Sequence, residues 1–315
     1  MHSNLRETFS LRVPGSIANL GPGFDTLAVA VQLYLQLEVS ILPGVDELQF
    51  HFLGCPVDGE NYIERAFRFL ARQRDYSHPS LSVEVRSEIP MKGGLGSSAA
   101  ATVAGLRLYE AITGPLAEQG LLNAACALEG HPDNVAAALL GGLTISCQMP
   151  DRSAFAVSVE WPSAVSFLVL TPQLSLATSA SRRVLPEQVP HQDAVFNLQR
   201  VALFLQAVQG GDYSLLREAL HDRLHQPFRA ELVPGLQDLL GIEHPDLLGV
   251  CLSGAGPSIV ALAERNVDGV EQLLRQVFDA QKLPFTIRKL KAHQSNCSGP
   301  VHEEERLATF PNSHS

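Results

Sequence analysis

The stretch that most constrains this chain joins a strand-patterned run to a helix-patterned run: Pro90, Met91, Lys92, Gly93, Gly94, Leu95, Gly96, Ser97, Ser98, Ala99 and Ala100. Before it, Leu81, Val83 and Val85 alternate with Ser82, Glu84 and Arg86, a period that predicts a strand. After it, residues 99–109 are rich in Ala and Leu and predict a helix. Three glycines and two hydroxyls therefore stand where a strand feeds a helix N-terminus. Backbone N–H groups without helical partners collect there, at the positive end of the helix dipole, and such a place binds phosphate. A Walker-type loop is excluded, because Ser97 stands where that motif needs Lys. Gly94, Gly96 and Ala99 formally match the G-x-G-x-x-A dinucleotide fingerprint, but that fold needs a second strand with an acidic end after the helix. Gly114, Pro115 and another helical run over 116–128 follow instead, which counts against that reading. Two readings stay open: another kind of nucleotide loop, with the serines turned to phosphates or Mg²⁺, and a Gly-rich connection with no ligand.

A chain of 315 residues is long for one domain and comfortable for two. Its net charge of −10 argues against a nucleic-acid partner. No apolar run reaches the roughly 18 residues of a membrane span, and Met1–Glu7 lacks the apolar core of a signal peptide. No membrane partner and a cytoplasmic location are therefore expected. Five cysteines (Cys55, Cys126, Cys147, Cys251, Cys297) show no C-x-x-C spacing. Four lie in apolar surroundings and read as buried free thiols, so neither a zinc site nor a disulfide framework is expected.

Strand patterns cover 9–13, 28–41, 48–53 and 81–88, and helical patterns cover 62–73, 98–112, 117–128 and 134–140. With three closing strands this gives β-β-β-α-β-α-α-α-β-β-β and an α+β first domain over 1–162. A second α+β domain is expected over 163–292. Its strands fall at 165–171, 248–252, 258–263 and 285–290, and its helices at 194–209, 213–221 and 267–281. Residues 293–315 are polar and aperiodic and read as a frayed, flexible tail.

Four further stretches could carry chemistry. Glu129, His131, Asp133 and Asn134 crowd the end of an apolar helix. A carboxylate is disfavoured at a helix C-terminus, so Glu129 calls for a compensating cation, and Mg²⁺ prefers such hard oxygens. The alternative is a polar turn in which Asp133 or Asn134 caps the next helix. Residues 14–25 contain three glycines and two prolines around Asn19 and Asp25, with apolar Ile17, Leu20 and Phe24 arguing for a packed, functional loop rather than a solvated linker. Arg182 and Arg183 follow Thr178 at helical spacing, and Arg229 ends another polar run; each can clamp a carboxylate or phosphate, or be a solvated surface charge. Ser253–Ser258, with Gly254 and Gly256, joins two apolar strands and permits close approach to a ligand or to the other domain.

Taken together, these stretches resemble the GHMP kinase superfamily, and within it the homoserine kinase family. Residues 14–25 are similar to the family's first motif, 90–100 to its phosphate loop, 129–142 to its E-G-H-P-D-N block, and 223–229 and 253–258 to later motifs, in the family's order over about residues 9 to 290. The resemblance implies a GHMP kinase fold of the α+β class: an N-terminal domain like the second domain of ribosomal protein S5, which binds ATP, and a ferredoxin-like C-terminal domain. It implies ATP and Mg²⁺, a homodimer, and transfer of the γ-phosphoryl group to the hydroxyl of L-homoserine for threonine synthesis. Carried over by position, residues 90–100 cradle ATP and Asn61 lies near the adenine. Ser98 and Glu129 hold the metal. Asn19, Asp25, His131, Asn134, Thr178, Arg182, Arg229 and Gly254 surround the substrate, with Arg182 and Arg229 on its carboxylate and Asp25 on its amine. Asn19, Ser98, Glu129 and Asn134 are the residues given catalytic roles. An amide at 134 cannot deprotonate an alcohol, so the hydroxyl is expected to be oriented there and to lose its proton late. The chain departs from the family at Gly93, where Arg is common and Lys92 stands nearby, and at Ala137, where Pro is expected.

Overall fold

A computed structural model of the chain describes residues 8–54 and 59–295, together with the backbone of 301 and 302. The chain opens with strands β1 (Thr8–Ala18), β2 (Leu27–Val45) and β3 (Leu48–Phe52), then helix α1 (Tyr62–Gln73) and strand β4 (Pro79–Ser87). Helices α2 (Ser97–Thr113), α3 (Glu118–Glu129) and α4 (Asp133–Leu140) lead to the hairpin β5 (Leu143–Gln148) and β6 (Ala154–Val159). The alternation read in β2 is the burial pattern found: Leu33, Leu35, Leu37 and Val39 are buried, while Gln32 is exposed and Gln36 and Glu38 are half-buried. This sheet runs β11-β1-β2-β4-β3, where β11 is Val301–His302, and β5 and β6 extend it from the start of β2. There β2 is buried on both faces, and Ala18, Ala28, Ala30 and Ala137 form a small cluster of their own. The alanine at 137 is thus a packing residue. Helix α2 crosses α1 closely at Gly105, where a Cβ would sit 2.2 Å from the Ile63 carbonyl.

The second sheet is built from β7 (Ser166–Pro172), β8 (Leu247–Leu252), β9 (Ile259–Ala263) and β10 (Phe285–Leu290), in the order β10-β7-β9-β8 and antiparallel throughout. Between β7 and β8 come α5 (Thr178–Arg183), α6 (His191–Gly210), α7 (Leu216–Ala219), α8 (Gln226–Arg229) and α9 (Leu236–Leu240); α10 (Val267–Asp279) connects β9 to β10. Reduced to its strands and covering helices this is the β-α-β-β-α-β ferredoxin-like arrangement. The main apolar core does not stop between the sheets: Trp161, Phe167, Phe204 and Val260 belong to the same cluster as Val29, Phe67 and Leu106.

Several expectations need correction. The first strand continues past 13 to Ala18, because Pro14 and Gly15 make a bulge in its pairing with β2 instead of ending it. Two strands, not three, close the first sheet; the next strand, β7, founds the second. The helix expected over 213–221 is a 3₁₀ turn (Tyr213–Leu215) followed by α7. Residues 293–295, expected to fray, are tied down. His293 N–H donates to the Ala30 carbonyl (2.8 Å), its carbonyl accepts from Gly142 N–H (2.7 Å), and the Gln294 amide bonds both backbone groups of Trp161 (3.1 and 2.5 Å). Apart from 301 and 302, the rest of that tail lies outside the described residues. Cys126 and Cys251 are buried thiols, but Cys147 is exposed near the end of β5; Cys55 and Cys297 lie outside the described residues.

Candidate active site

Gly96, left-handed at φ 71°, is the N-cap of α2, and no side chain caps that end. The first helical bond is Ala100 N–H to the Gly96 carbonyl (2.9 Å), so the amides of Ser97, Ser98 and Ala99 come before it. Gly94 is also left-handed, at φ 77°; a Cβ there would stand 2.6 Å from the Ser253 carbonyl oxygen and 2.7 Å from that of Gly256. The glycine loop therefore rests directly on the β8–β9 turn. Ser253 Oγ donates to the Gly94 carbonyl (2.6 Å), Ser258 N–H to that of Gly93 (3.2 Å), and Gly254 N–H to that of Ala18 (3.1 Å). Close approach to the first domain, one of the two uses expected of this glycine turn, is what these bonds record. Leu95 is buried, and Met91 and Lys92 are exposed at the lip.

Glu129 ends α3 with its side chain only 8% exposed. Ser98 Oγ donates to both of its oxygens (2.9 and 2.8 Å), Thr102 Oγ1 donates to one (2.8 Å), and Arg65 Nη2 lies 3.4 Å away. The charge that the α3 dipole disfavours is thus already compensated by two hydroxyls and the Arg65 guanidinium. Arg65 and Thr102 were not foreseen. Thr102 sits one helical turn after Ser98 on the same face of α2, a spacing that could have flagged it. The donor set is all hard oxygen, as Mg²⁺ requires. Among the described residues no group of three or more His, Cys, Asp or Glu could hold a metal by itself.

Two chambers meet at Ser97 and Ser98. The larger, about 480 Å³, is walled by Leu35, Phe52, Tyr62, Val85 and Met91, with Asn61 at its edge. Asn61 Oδ1 caps α1 by accepting from Ile63 N–H (3.1 Å) and Glu64 N–H (3.3 Å). An apolar slot of this size suits a planar base whose phosphates extend toward α2.

The smaller chamber, about 110 Å³, brings together Asn19, Asp25, His131, Asp133, Asn134, Thr178, Arg182, Arg229 and Gly254. All eight residues expected around the substrate are in this wall. Asn19 is a brace: its Nδ2 donates to the Gly254 carbonyl (3.0 Å) and its Oδ1 accepts from Asp25 N–H (3.1 Å). Asp25 and Arg182, expected on opposite ends of the substrate, form a two-point ion pair with each other (2.7 and 3.0 Å). Burial works against the charge of Arg182, but Asp25 outweighs it and its pKa is raised. The pair is about a third exposed on each side (32% and 39%), and pairs of that kind contribute only about 0–1 kcal/mol, so exchanging partners costs little. Arg229 is buried, and burial together with Arg182 pushes its pKa down to about 10. It stays charged at neutral pH. His131 Nδ1 bonds Asp133 Oδ1 (2.8 Å), which also accepts from Asn134 N–H (2.7 Å). Burial lowers the His131 pKa, but Asp133 outweighs it and the net shift is upward. Asn134 Oδ1 accepts from Ser16 Oγ (2.8 Å), a buried partner that the sequence did not reveal.

The model of the GHMP kinases N terminal domain matches residues 61–142, and that of the GHMP kinases C terminal domain matches 204–280. Fold and site together make this chain a GHMP kinase. It is 39% identical over 276 residues to a homoserine kinase of Solibacter usitatus, covering 86% of this chain and 90% of that one. A structure described as a putative homoserine kinase from Listeria monocytogenes superposes with a TM-score of 0.72 at 28% identity, covering 93% of this chain and 98% of that one. The crystal structure of homoserine kinase from Cytophaga hutchinsonii shares the fold at a TM-score of 0.80 and 24% identity, covering 96% and 99%. The chain belongs to the homoserine kinase family.

Proposed function

We propose that the chain transfers the γ-phosphoryl group of ATP to the side-chain hydroxyl of L-homoserine, yielding O-phospho-L-homoserine for threonine biosynthesis. The observation that carries this reading is the chamber in which Asp25, Arg182 and Arg229 converge beside Ser97 and Ser98. An amino acid brings one ammonium and one carboxylate, and that wall offers the Asp25 carboxylate and two guanidinium groups for them, its other carboxylates, Asp133 and Glu129, being engaged by His131 and Asn134 and by Ser98 and Thr102. The amides that open α2 take the phosphates, and the Asn61 edge of the larger chamber takes the adenine. Ser98 and Glu129 would hold Mg²⁺, which neutralises phosphate charge when bound.

In this reading Arg229 and Arg182 grip the substrate carboxylate, Asp25 its amine, and Thr178 and His131 close the chamber over it. Asn134 orients the hydroxyl, and its amide cannot take a proton. Asn19, with both ends of its amide engaged, keeps one further N–H for that hydroxyl. Asp133 Oδ1 is committed to His131 and Asn134, which disfavours it as a general base. Phosphoryl transfer through a loose transition state needs positioning and charge stabilisation more than early deprotonation, so late proton loss is compatible with this wall. The cytoplasmic location and a homodimeric assembly belong to the same proposal; among the described residues no helix is long and apolar enough to cross a membrane.

Purified protein given ATP and Mg²⁺ should release ADP only when L-homoserine is added. Equal turnover of mevalonate, or no turnover of homoserine, would overturn the reading. Arg229→Ala should raise the homoserine KM at least about tenfold with the ATP KM little changed, the loss of one charged hydrogen bond. An equal loss of affinity for both substrates would count against its carboxylate role.

A further inference from the structure

Behind Arg229, outside the wall of the small chamber, His225 is wholly buried. Its ring stacks on Phe24 at 5.2 Å, and Phe24 in turn lies under the guanidinium groups of Arg229 (5.2 Å) and Arg182 (5.6 Å). His225 Nδ1 is 3.2 Å from Arg229 Nη1. A guanidinium has only donors, so Nδ1 must be the bare, accepting nitrogen. His225 Nε2 is 2.7 Å from the Gly21 carbonyl, which has only lone pairs, so Nε2 must carry the proton. Two independent partners therefore demand the same tautomer.

The charged groups facing this ring are Asp222 (3.5 Å from Nε2), Arg229 and Asp25. Burial disfavours protonation, as does Arg229, while Asp222 and Asp25 favour it; the net pKa is lowered. Asp222 is already committed. Its Oδ1 accepts from Leu224 N–H (2.8 Å) and Asn197 Nδ2 (2.7 Å), and its Oδ2 from His225 N–H (3.0 Å) and Gln226 N–H (2.6 Å). It holds the backbone on which His225 is mounted. Arg229 spends Nε on the Ser181 carbonyl (3.2 Å) and Nη1 on the Gly254 carbonyl (2.9 Å) and His225; Nη2 takes part in none of these bonds.

We propose that His225 is a positioning residue for substrate binding: its bare Nδ1 fixes the rotation of the Arg229 guanidinium, leaving Nη2 for the substrate carboxylate, and its Nε2–H ties that arrangement to the first loop at Gly21. The proposal rests on the reading of Arg229 as the carboxylate ligand.

Two substitutions separate the ring nitrogens. His225→Asn keeps an acceptor near the Nδ1 position, whereas His225→Gln keeps a donor near Nε2 and loses that acceptor. His225→Gln should raise the homoserine KM at least about fivefold with kcat and the ATP KM within about twofold, and His225→Asn should restore most of the loss. Added to Arg229→Ala, His225→Gln should have no further effect, because it acts through that arginine. If His225→Gln leaves KM unchanged while Arg229→Ala raises it, the histidine role is wrong and the carboxylate reading stands. If the two effects add fully, or kcat and both KM values fall off together, His225 is merely structural. If Arg229→Ala itself leaves KM unchanged, both readings fall. Nitrogen NMR of the wild-type enzyme, labelled at histidine, gives a check independent of whether the variants fold. It should show His225 with bare Nδ1 and protonated Nε2 between about pH 6 and pH 8, the range in which an ordinary histidine titrates. An Nδ1–H tautomer or an imidazolium at pH 7 would overturn the proposal.

Discussion

Glu129 is held by two hydroxyls and a guanidinium at the end of a helix. Replacing it with Gln keeps the volume and removes that charge. Glu129→Gln should reduce homoserine-dependent ADP release at least about tenfold and raise the Mg²⁺ concentration needed for half-maximal rate, as losses at or around a metal site do. A Mg²⁺ titration of the two proteins checks this. At the thiols, burial pushes Cys126 and Cys251 up to about 12, with the Asp133 charge adding to the effect at Cys126. At pH 8 such a thiol is ionised to only about one part in ten thousand. Brief alkylation of the native enzyme followed by peptide mapping should therefore mark Cys147 and spare Cys126 and Cys251 until the protein is unfolded. Ser98, Glu129 and Asn134 were legible in the sequence because they stand in short runs with no apolar use. Arg65, Ser16 and His225 were not, because their partners lie at Glu129, Asn134 and Gly21, distant in the chain.

The glycine loop at 93–96 and the β8–β9 turn act as one unit. Three hydrogen bonds join that turn to Gly93, Gly94 and Ala18, and the left-handed backbone of Gly94 leaves no room for a side chain. Gly94→Ala would place a methyl group against two carbonyl oxygens. It should cost about 1–3 kcal/mol, lowering Tm by several degrees, and should raise the ATP KM more than the homoserine KM. Calorimetry with initial-rate kinetics tests both parts. Unchanged ATP affinity would separate this turn from nucleotide binding. Strands and long helices were legible here from their period, and β10 falls on the expected residues. Strand β1 was cut short in the sequence reading because Pro14 and Gly15 look like a stop, while the sheet absorbs them as a bulge.

Across the whole molecule, the chain leaves β10 and returns to the first domain. The Lys291 carbonyl accepts from Gln32 N–H (2.9 Å), Ala292 bridges to Val31, and His293 and Gln294 bond Ala30, Gly142 and Trp161. Those groups tie the end of the second sheet to the long strand of the first. Ending the chain after Leu290 should lower Tm by several degrees, through lost backbone pairing worth about 1 kcal/mol per bond, while leaving both KM values within about twofold. Thermal unfolding beside steady-state kinetics decides it. A large change in KM would mean that this returning segment also shapes the chambers.

Local patterns along the chain were enough to place the glycine loop before a helix, to set the α+β class and to pick out the hydroxyls, carboxylates and arginines of the site, because each depends on neighbours within a few residues. Which of those groups would meet was decided by tertiary structure. Asp25 found Arg182 across 157 positions, Glu129 found Arg65 across 64, and the glycine turn at 253–256 found the glycine loop at Gly94. Such pairings depend on how two sheets share one apolar core, and periodicity within a segment carries no record of what packs against it.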